Sequence, residues 1–310
     1  MASVQAASQR SKGSLVKRMR YPVYIISKGR PERCITARSL DRMGIDYSVV
    51  IEPQERGCYA KNIDESRLID LPFSNLGQGS IPARNWVWED SVKRGFSRHW
   101  ILDDNIEAFN RLHMNDKLDV RCDATFRACE DFTDRFKNVG LSGMNYYSFC
   151  KSTDAVPPYY LNTRIYSCIL VRNDLPFRWR GKYNEDTDLS LRVLKSGECT
   201  ILFNAFLCGK VTSMRMKGGN TDSVYAETDN RLEFAQSLVD QHPDVAKVTK
   251  KFGRWHHHVN YKPFKSNSLK LVEGFIIPKG HNNYGMVKAV LSSNQHDKMT
   301  NYGKIQIQNY

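Results

Sequence analysis

The chain has 310 residues, 41% hydrophobic and 25% charged, which allows a sizeable core and is ordinary for a globular protein. No apolar run approaches bilayer-spanning length, and the polar, basic first twenty residues lack the apolar stretch of a secretory signal, so the expected location is cytoplasmic with no membrane partner. A net charge of +13 points to an anionic partner, while eight cysteines without a Cys-x-x-Cys pair argue against a disulfide framework or a zinc site and for reduced, mostly buried thiols.

The first expected strand is Pro22 to Ser27, followed by Lys28-Gly29-Arg30-Pro31 and a helix running to Met43. Tyr47 to Ile51, rich in β-branched residues, predicts a second strand, and Arg67 to Leu71 a short third. A Gly/Ser/Asn-rich loop over 74–80 leads into a helix from Pro82 to Lys93, with proline near its first turn. His99 to Leu102 then forms an apolar strand that ends in Asp103, Asp104 and Asn105. This alternation of strand and helix predicts an α/β fold with a doubly wound, mostly parallel sheet. Residues 123–138 read as helix, Arg164 to Val171 as strand, and Glu185 to Lys195 as a helix stopped by Gly197. Thr200 to Phe203 and Phe206 to Thr212 read as two strands, Met214 to Asn220 as a loop, and Val224 to Asp240 as a helix ending before Pro243.

Charge is concentrated at two places. Residues 1–20 carry five Lys/Arg and 245–270 carry seven, with no acid in either segment, which accounts for all but one of the net positive charges. A nucleic acid binds such segments by counterion release; a solubilising tail and a solvated helix end explain them equally well. The expected organisation is a disordered basic tail over 1–20, a catalytic-size α/β domain over 21–242, and a basic extension over 243–310.

Two acidic clusters carry the chemistry. In an open α/β sheet ligands bind beyond the carboxyl ends of the strands, which places Ser27, Lys28 and Arg30 on one rim with Asp103 and Asp104. Adjacent carboxylates after a buried strand repel each other unless a cation offsets them. A divalent metal (Mn2+ or Mg2+) carrying a nucleotide diphosphate suits that place. Asp104 is favoured over Asn105 as metal ligand because charge dominates affinity for a hard cation, leaving Asp103 to accept from ribose hydroxyls. The second cluster, Asn184-Glu185-Asp186-Thr187-Asp188, opens a helix after the basic aromatic loop Phe177 to Tyr183. The helix dipole and an Asn184 N-cap account for one or two of its acids; a third suggests a general base for an incoming hydroxyl.

The order of these motifs resembles the GT-A glycosyltransferases, which are metal-dependent sugar-nucleotide enzymes with a Rossmann-like, mostly parallel sheet flanked by helices. Ile101 to Asn105, Tyr183 to Arg192 and Lys217-Gly218-Gly219-Asn220 are similar, more closely, to the phage-encoded TET-associated glycosyltransferases, across about residues 20–240. The resemblance implies transfer of a sugar, from a UDP-sugar, to a hydroxyl of a modified pyrimidine such as 5-hydroxymethylcytosine in DNA, in the host cytoplasm. A protein or carbohydrate hydroxyl, or nucleic-acid binding without turnover, are the rival readings. By the resemblance Asp103 matches the ribose acid, Asp104 the metal ligand, Arg84 a donor diphosphate contact, and Asp186, or its neighbour Glu185, the acid beside the acceptor. Asp188 completes the candidate catalytic acids, and Lys217 matches a loop that closes over the diphosphate. Where many GT-A enzymes place a metal-binding histidine after the last core strand, this chain has Cys208-Gly209-Lys210.

Trp179 and Tyr183 either stack on the acceptor or pack at a loop hinge, with Arg180 beside them. Trp86 and Trp88 belong to the core. His256, His257 and His258 do not converge on one ion from consecutive positions. With Arg254, Trp255, Tyr261, Lys262 and Lys265 they make a basic, aromatic nucleic-acid surface instead, in which Arg254, His256 and Lys262 are the expected contacts.

Overall fold

The computed structural model describes residues 19–154, 156–181, 183–211, 230–251 and 253–276. Its first half follows the expected alternation: β1 (Val23–Ile26), α1 (Ile35–Met43), β2 (Ser48–Ile51), the short α2 (Arg56–Tyr59), β3 (Leu68–Asp70), α3 (Ile81–Lys93) and β4 (Arg98–Asp103). Beyond the acidic turn come β5 (Ile106–His113), β6 (Asp116–Asp119), α4 (Ala124–Thr133), β7 (Val139–Tyr146), β8 (Tyr159–Leu161) and β9 (Cys168–Arg172). The remainder is α5 (Glu185–Lys195), β10 (Cys199–Lys210), α6 (Arg231–Gln241) and the hairpin β11 (Ala246–Lys251) with β12 (Arg254–Val259).

Ten strands form one sheet in the order β3-β2-β1-β4-β9-β7-β10-β5-β6, with β8 also paired to β10. Strands β1, β2, β3, β4, β6, β7 and β10 point one way; β5, β8 and β9 run against them. The sheet is therefore mixed, with most strands sharing one direction. Period-two alternation splits each central strand between two cores. Val23, Ile25, Trp100 and Leu102 face α1 and α4, joined by Leu40, Phe126 and Cys129. Tyr24 and Ile101 face the other side with Val87, Trp88, Leu189 and Val193 of α3 and α5. Both α3 and α5 thus lie on one face, and their N-terminal ends meet at the carboxyl edge of β4.

Gly143 sits where β7 crosses close to β9: a Cβ there would stand 2.3 Å from the Cys168 carbonyl oxygen, so no other residue fits without moving the strand. Gly197, at φ 85°, ends α5 in the left-handed conformation that the sequence foretold.

Several expectations are corrected. Helix α4 stops at Thr133, short of 138, because Phe136 to Asn138 turn to pair with a later segment. The two strands expected over 200–212 are one, β10, whose pairing with β7 skips from Phe203 to Leu207. The basic stretch 245–270 contains a β-hairpin, not a helix end, and it is docked on the body. Leu191, Leu194, Leu238, Val245, Ala246 and Phe264 share a cluster. Asn162 Nδ2 donates to Phe264 O, and Asn267 Nδ2 to the carbonyls of Leu194 and Glu198, each at 2.8 Å. Asn162 Nδ2 also reaches Asn267 O at the same distance. At the other terminus Arg20, assigned to the tail, docks on α4 through Glu130, Asp131 and Asp134. Residues 1–18 and the loop containing Lys217 lie outside the described residues. No helix among the described residues is long and apolar enough to cross a membrane. All eight cysteines are unpaired, and six of them are buried.

Candidate active site

The two acidic clusters meet at Arg84. This arginine is on the first turn of α3, buried, with its guanidinium 4.7 Å over the Trp179 ring. It reaches Asp103 Oδ1 at 3.2 Å, Glu185 Oε1 at 3.7 Å and Asp186 Oδ1 at 3.6 Å. Ser80 Oγ, just before α3, accepts from Arg84 Nε at 3.2 Å and lies 3.4 Å from Glu185 Oε1. One cation therefore holds three carboxylates from β4 and α5 around a single point.

Asp103 is gripped from its other side as well. Lys210, the last residue of β10, donates from Nζ to Asp103 Oδ2 at 2.6 Å and to Ser167 Oγ at 2.9 Å. Ser167 Oγ donates to the same Asp103 oxygen at 2.7 Å, and Tyr146 Oη stands 2.5 Å from Ser167 Oγ. Ser167 adopts φ 60°, an uncommon conformation for a residue with a side chain, and its carbonyl receives the Asp103 N–H at 2.9 Å. Burial alone would raise the Asp103 carboxyl, but the Lys210 ammonium and Arg84 guanidinium overcome that and hold it at about 2. Lys210 and Ser167 were not foreseen. A lysine at a strand end has no distinguishing sequence signal, and Ser167 comes close only because β9 is hydrogen-bonded beside β4.

Asp186 has the opposite balance. Burial, together with the neighbouring charges of Glu185 and Asp103, pushes it up to about 7 against the pull of Arg84. Its Oδ1 is buried without a hydrogen bond among the described residues. A carboxyl poised near neutrality, held by a long ion pair to Arg84 and no hydrogen bond on Oδ1, is suited to taking a proton from a hydroxyl.

Asp188 is corrected from catalytic candidate to structural hub. It is 0% exposed, and it accepts from Arg180 Nη2 at 2.9 Å, Arg192 Nε at 2.9 Å and His242 Nε2 at 2.9 Å. Burial would raise it, but the His242 hydrogen bond and the two arginines hold it down to about 2. It ties the loop before α5 and the end of α6 to α5 itself. Asn184 is the N-cap residue, yet its side chain does not cap; at φ 56° it donates to Phe234 O on α6.

The acid expected to bind metal also turns inward. Asp104 is buried, with Oδ1 2.7 Å from Arg30 Nη1 and Oδ2 2.7 Å from Ser27 Oγ. Burial nonetheless keeps its carboxyl above the ordinary range, against Arg30 and Ser27. Ser27 and Arg30, assigned to the donor rim, are the buried partners that pin this turn, with Tyr59 Oη 2.7 Å from Ser27 Oγ. Lys28 does stand on the rim, its side chain 48% exposed and paired with Glu52. Asn105 Nδ2 donates to Val211 O, and its buried Oδ1 has no partner among the described residues.

These residues do not fit a divalent cation as they stand. Hard cations need several oxygen ligands. The Asp104 oxygens face Ser27 and Arg30, and the Asp103 oxygens face Lys210, Ser167 and Arg84. Among the described residues no group of three or more His, Cys, Asp or Glu is placed to hold a metal. Like unit charges 4 Å apart repel by about 4 kcal/mol at an effective dielectric of about 20, and a divalent ion doubles that against Lys210 or Arg84.

Of the two readings of Trp179 the structure favours packing: it is 2% exposed and lies edge-on against Trp88. Tyr183 is buried against Phe234. Arg254, His256 and Lys262 are exposed. The hairpin register places Lys247, Thr249, Lys251, Arg254, His256 and His258 on one face and Ala246, Val248, His257 and Val259 on the face nearer the core. That outward face carries no acid.

No curated protein matches the chain. Residues 21–219, more than half of the sequence and including both acidic clusters, Arg84 and Lys210, match the family model of the TET-Associated Glycosyltransferases; the chain belongs to that family and is a glycosyltransferase.

Proposed function

We propose that this glycosyltransferase moves a sugar from a nucleotide-sugar donor, a UDP-sugar, to the hydroxyl of a 5-hydroxymethylcytosine-like base in DNA. The observation that carries the reading is Arg84, which gathers Asp103, Glu185 and Asp186 at the carboxyl edge of the sheet, where α/β folds bind nucleotides. In this reading Asp186 accepts the proton of the acceptor hydroxyl, whose oxygen attacks the anomeric carbon as the bond to the diphosphate breaks. Arg84 and the rim residue Lys28 meet the diphosphate charge, and Lys217 remains the proposed closing contact. A target base within duplex DNA has to leave the stack to reach such an edge.

The outward face of the β11–β12 hairpin supports the DNA partner, with Lys247, Lys251 and Arg254 clear of acids and Lys262 close in sequence. Such a face binds phosphates with an affinity that falls steeply with salt, by about 0.7–0.9 in the log–log slope for each neutralised phosphate. Mass spectrometry of hydroxymethylcytosine-containing DNA, incubated with the protein and a panel of nucleotide sugars, tests the reading. It expects a hexose-sized or related mass gain with at least one UDP-sugar. No mass gain with any donor, or equal transfer to unmodified DNA, overturns it.

A further inference from the structure

We propose that the Lys210 ammonium, held on Asp103, supplies the positive charge that the family resemblance assigns to a divalent cation on Asp104, and that the donor diphosphate binds and departs against Lys210 and Arg84 without a metal ion. This rests on the nucleotide-donor reading above.

Three observations carry it. First, Lys210 and Asp103 close the last positions of β10 and β4, so the ammonium stands at the same sheet edge as the acid. The register of β10 against β5 shifts between Gly209 and Lys210, and such an irregularity re-aims the side chain that follows it. Second, the ammonium is anchored but not saturated. Two of its three hydrogens have short partners, Asp103 Oδ2 at 2.6 Å and Ser167 Oγ at 2.9 Å; the third faces Tyr146 Oη at 3.5 Å, beyond a good hydrogen bond. Its side chain retains 16% exposure, so that third donor is within reach of an anion at the rim. Third, the other acid of the turn is closed to a metal: Asp104 faces Arg30 and Ser27 from within the body. A fixed ammonium and a fixed guanidinium on either side of one carboxylate make a preorganised cation pair that needs no reorganisation as charge develops on the leaving diphosphate.

Binding of UDP alone to the full chain, measured by calorimetry in chelator and in millimolar Mn2+, tests this directly. The expected result is affinities agreeing within about threefold, less than 1 kcal/mol apart. Lys210→Ala is expected to lose UDP affinity in chelator by about tenfold or more, the size of a charge-assisted hydrogen bond, while Lys210→Arg retains most of it. Mn2+ titrations followed by electron paramagnetic resonance add a readout independent of turnover: little binding to the natural protein, and a gained site in Lys210→Ala once Asp103 is vacated. UDP binding tenfold tighter with Mn2+ than in chelator, or full UDP affinity of Lys210→Ala in chelator, overturns the inference and leaves the donor reading standing. If no nucleoside diphosphate binds under either condition, the donor reading falls and this inference with it.

Discussion

The turn after β4 and the start of α5 are two acidic clusters that divide their labour in the same way. In each, one acid faces the shared site and a near neighbour turns inward to a cationic partner. Asp103 meets Arg84 and Lys210 at the sheet edge, while Asp104 is buried on Arg30 and Ser27. Asp186 is ion-paired with Arg84 through an oxygen that makes no hydrogen bond among the described residues, while Asp188 is enclosed by Arg180, Arg192 and His242. The inward acids fasten the backbone that aims the outward ones. The contrast is sharpest on α5, where two carboxyls two residues apart are pushed in opposite directions, Asp186 up to about 7 and Asp188 down to about 2. Proximity of like charge and burial govern the first; three positive or hydrogen-bonding partners govern the second.

The largest effect expected from this division is at Asp186. Asp186→Asn keeps shape and removes the proposed proton acceptor, so kcat should fall by about 10²–10⁴. Its thermal midpoint should hold or rise slightly at pH 8: a carboxyl raised above its ordinary 3.8 adds most stability below that value and loses it as pH rises through about 7. The pH profile gives the same residue a second signature. Because the proposed role needs the ionised form to accept the proton, kcat/KM should fall about tenfold per pH unit below about 7 and level off above it. A flat profile between pH 5.5 and 8 would remove Asp186 from this role.

Asp188→Asn should do the reverse. Leaving two arginines and a histidine without their buried counter-charge costs about 3–5 kcal/mol of stability, with kcat of the folded protein little changed. Its depressed carboxyl contributes fully above pH 3.8 and loses that contribution only as pH falls through about 2, so no pH dependence of its stabilisation is expected near neutrality. If Asp188→Asn folds normally and is inactive, the two acids have exchanged places.

Asp104→Asn probes the first cluster on a smaller scale. Asparagine still accepts from Ser27 but leaves Arg30 without its counter-charge, at about 1–3 kcal/mol. UDP affinity of the folded variant, measured by calorimetry, should stay within about twofold, under 0.5 kcal/mol. Loss of UDP binding without loss of stability would make Asp104 a ligand-facing acid after all.

How much of this was legible along the chain follows from what each feature depends on. Strands β1, β2 and β4 announce themselves as short apolar runs, and α3 and α5 carry terminal punctuation in Pro82, Asn184 and Gly197, so the sheet edge and both acidic clusters could be placed. The pairing of Asp104 and Asp188 with arginines could not, since a carboxylate reads the same whether it faces solvent or a guanidinium. Lys210, Ser167 and Tyr146 converge only through the order β4-β9-β7-β10, which is a property of the whole sheet. The hairpin was hidden by its composition: alternation in Lys247 to His258 runs between basic and mildly apolar residues, which masks the usual strand pattern.

The smallest effect separates the structural from the acceptor-binding reading of the second cluster. Arg180 was assigned to nucleic acid, yet it bonds Asp188 while leaving 51% of its side chain exposed. A half-exposed pair that Arg192 and His242 can partly replace contributes about 1 kcal/mol or less. Arg180→Gln should therefore lower the thermal midpoint only slightly. The informative measurement is DNA affinity against salt. A slope reduced by about 0.7–0.9 means that the exposed part of the guanidinium also meets a phosphate, and the inward acid then anchors an acceptor contact as well as a helix. An unchanged slope confines Arg180 to the Asp188 hub, and leaves the hairpin face as the one proposed phosphate-binding surface.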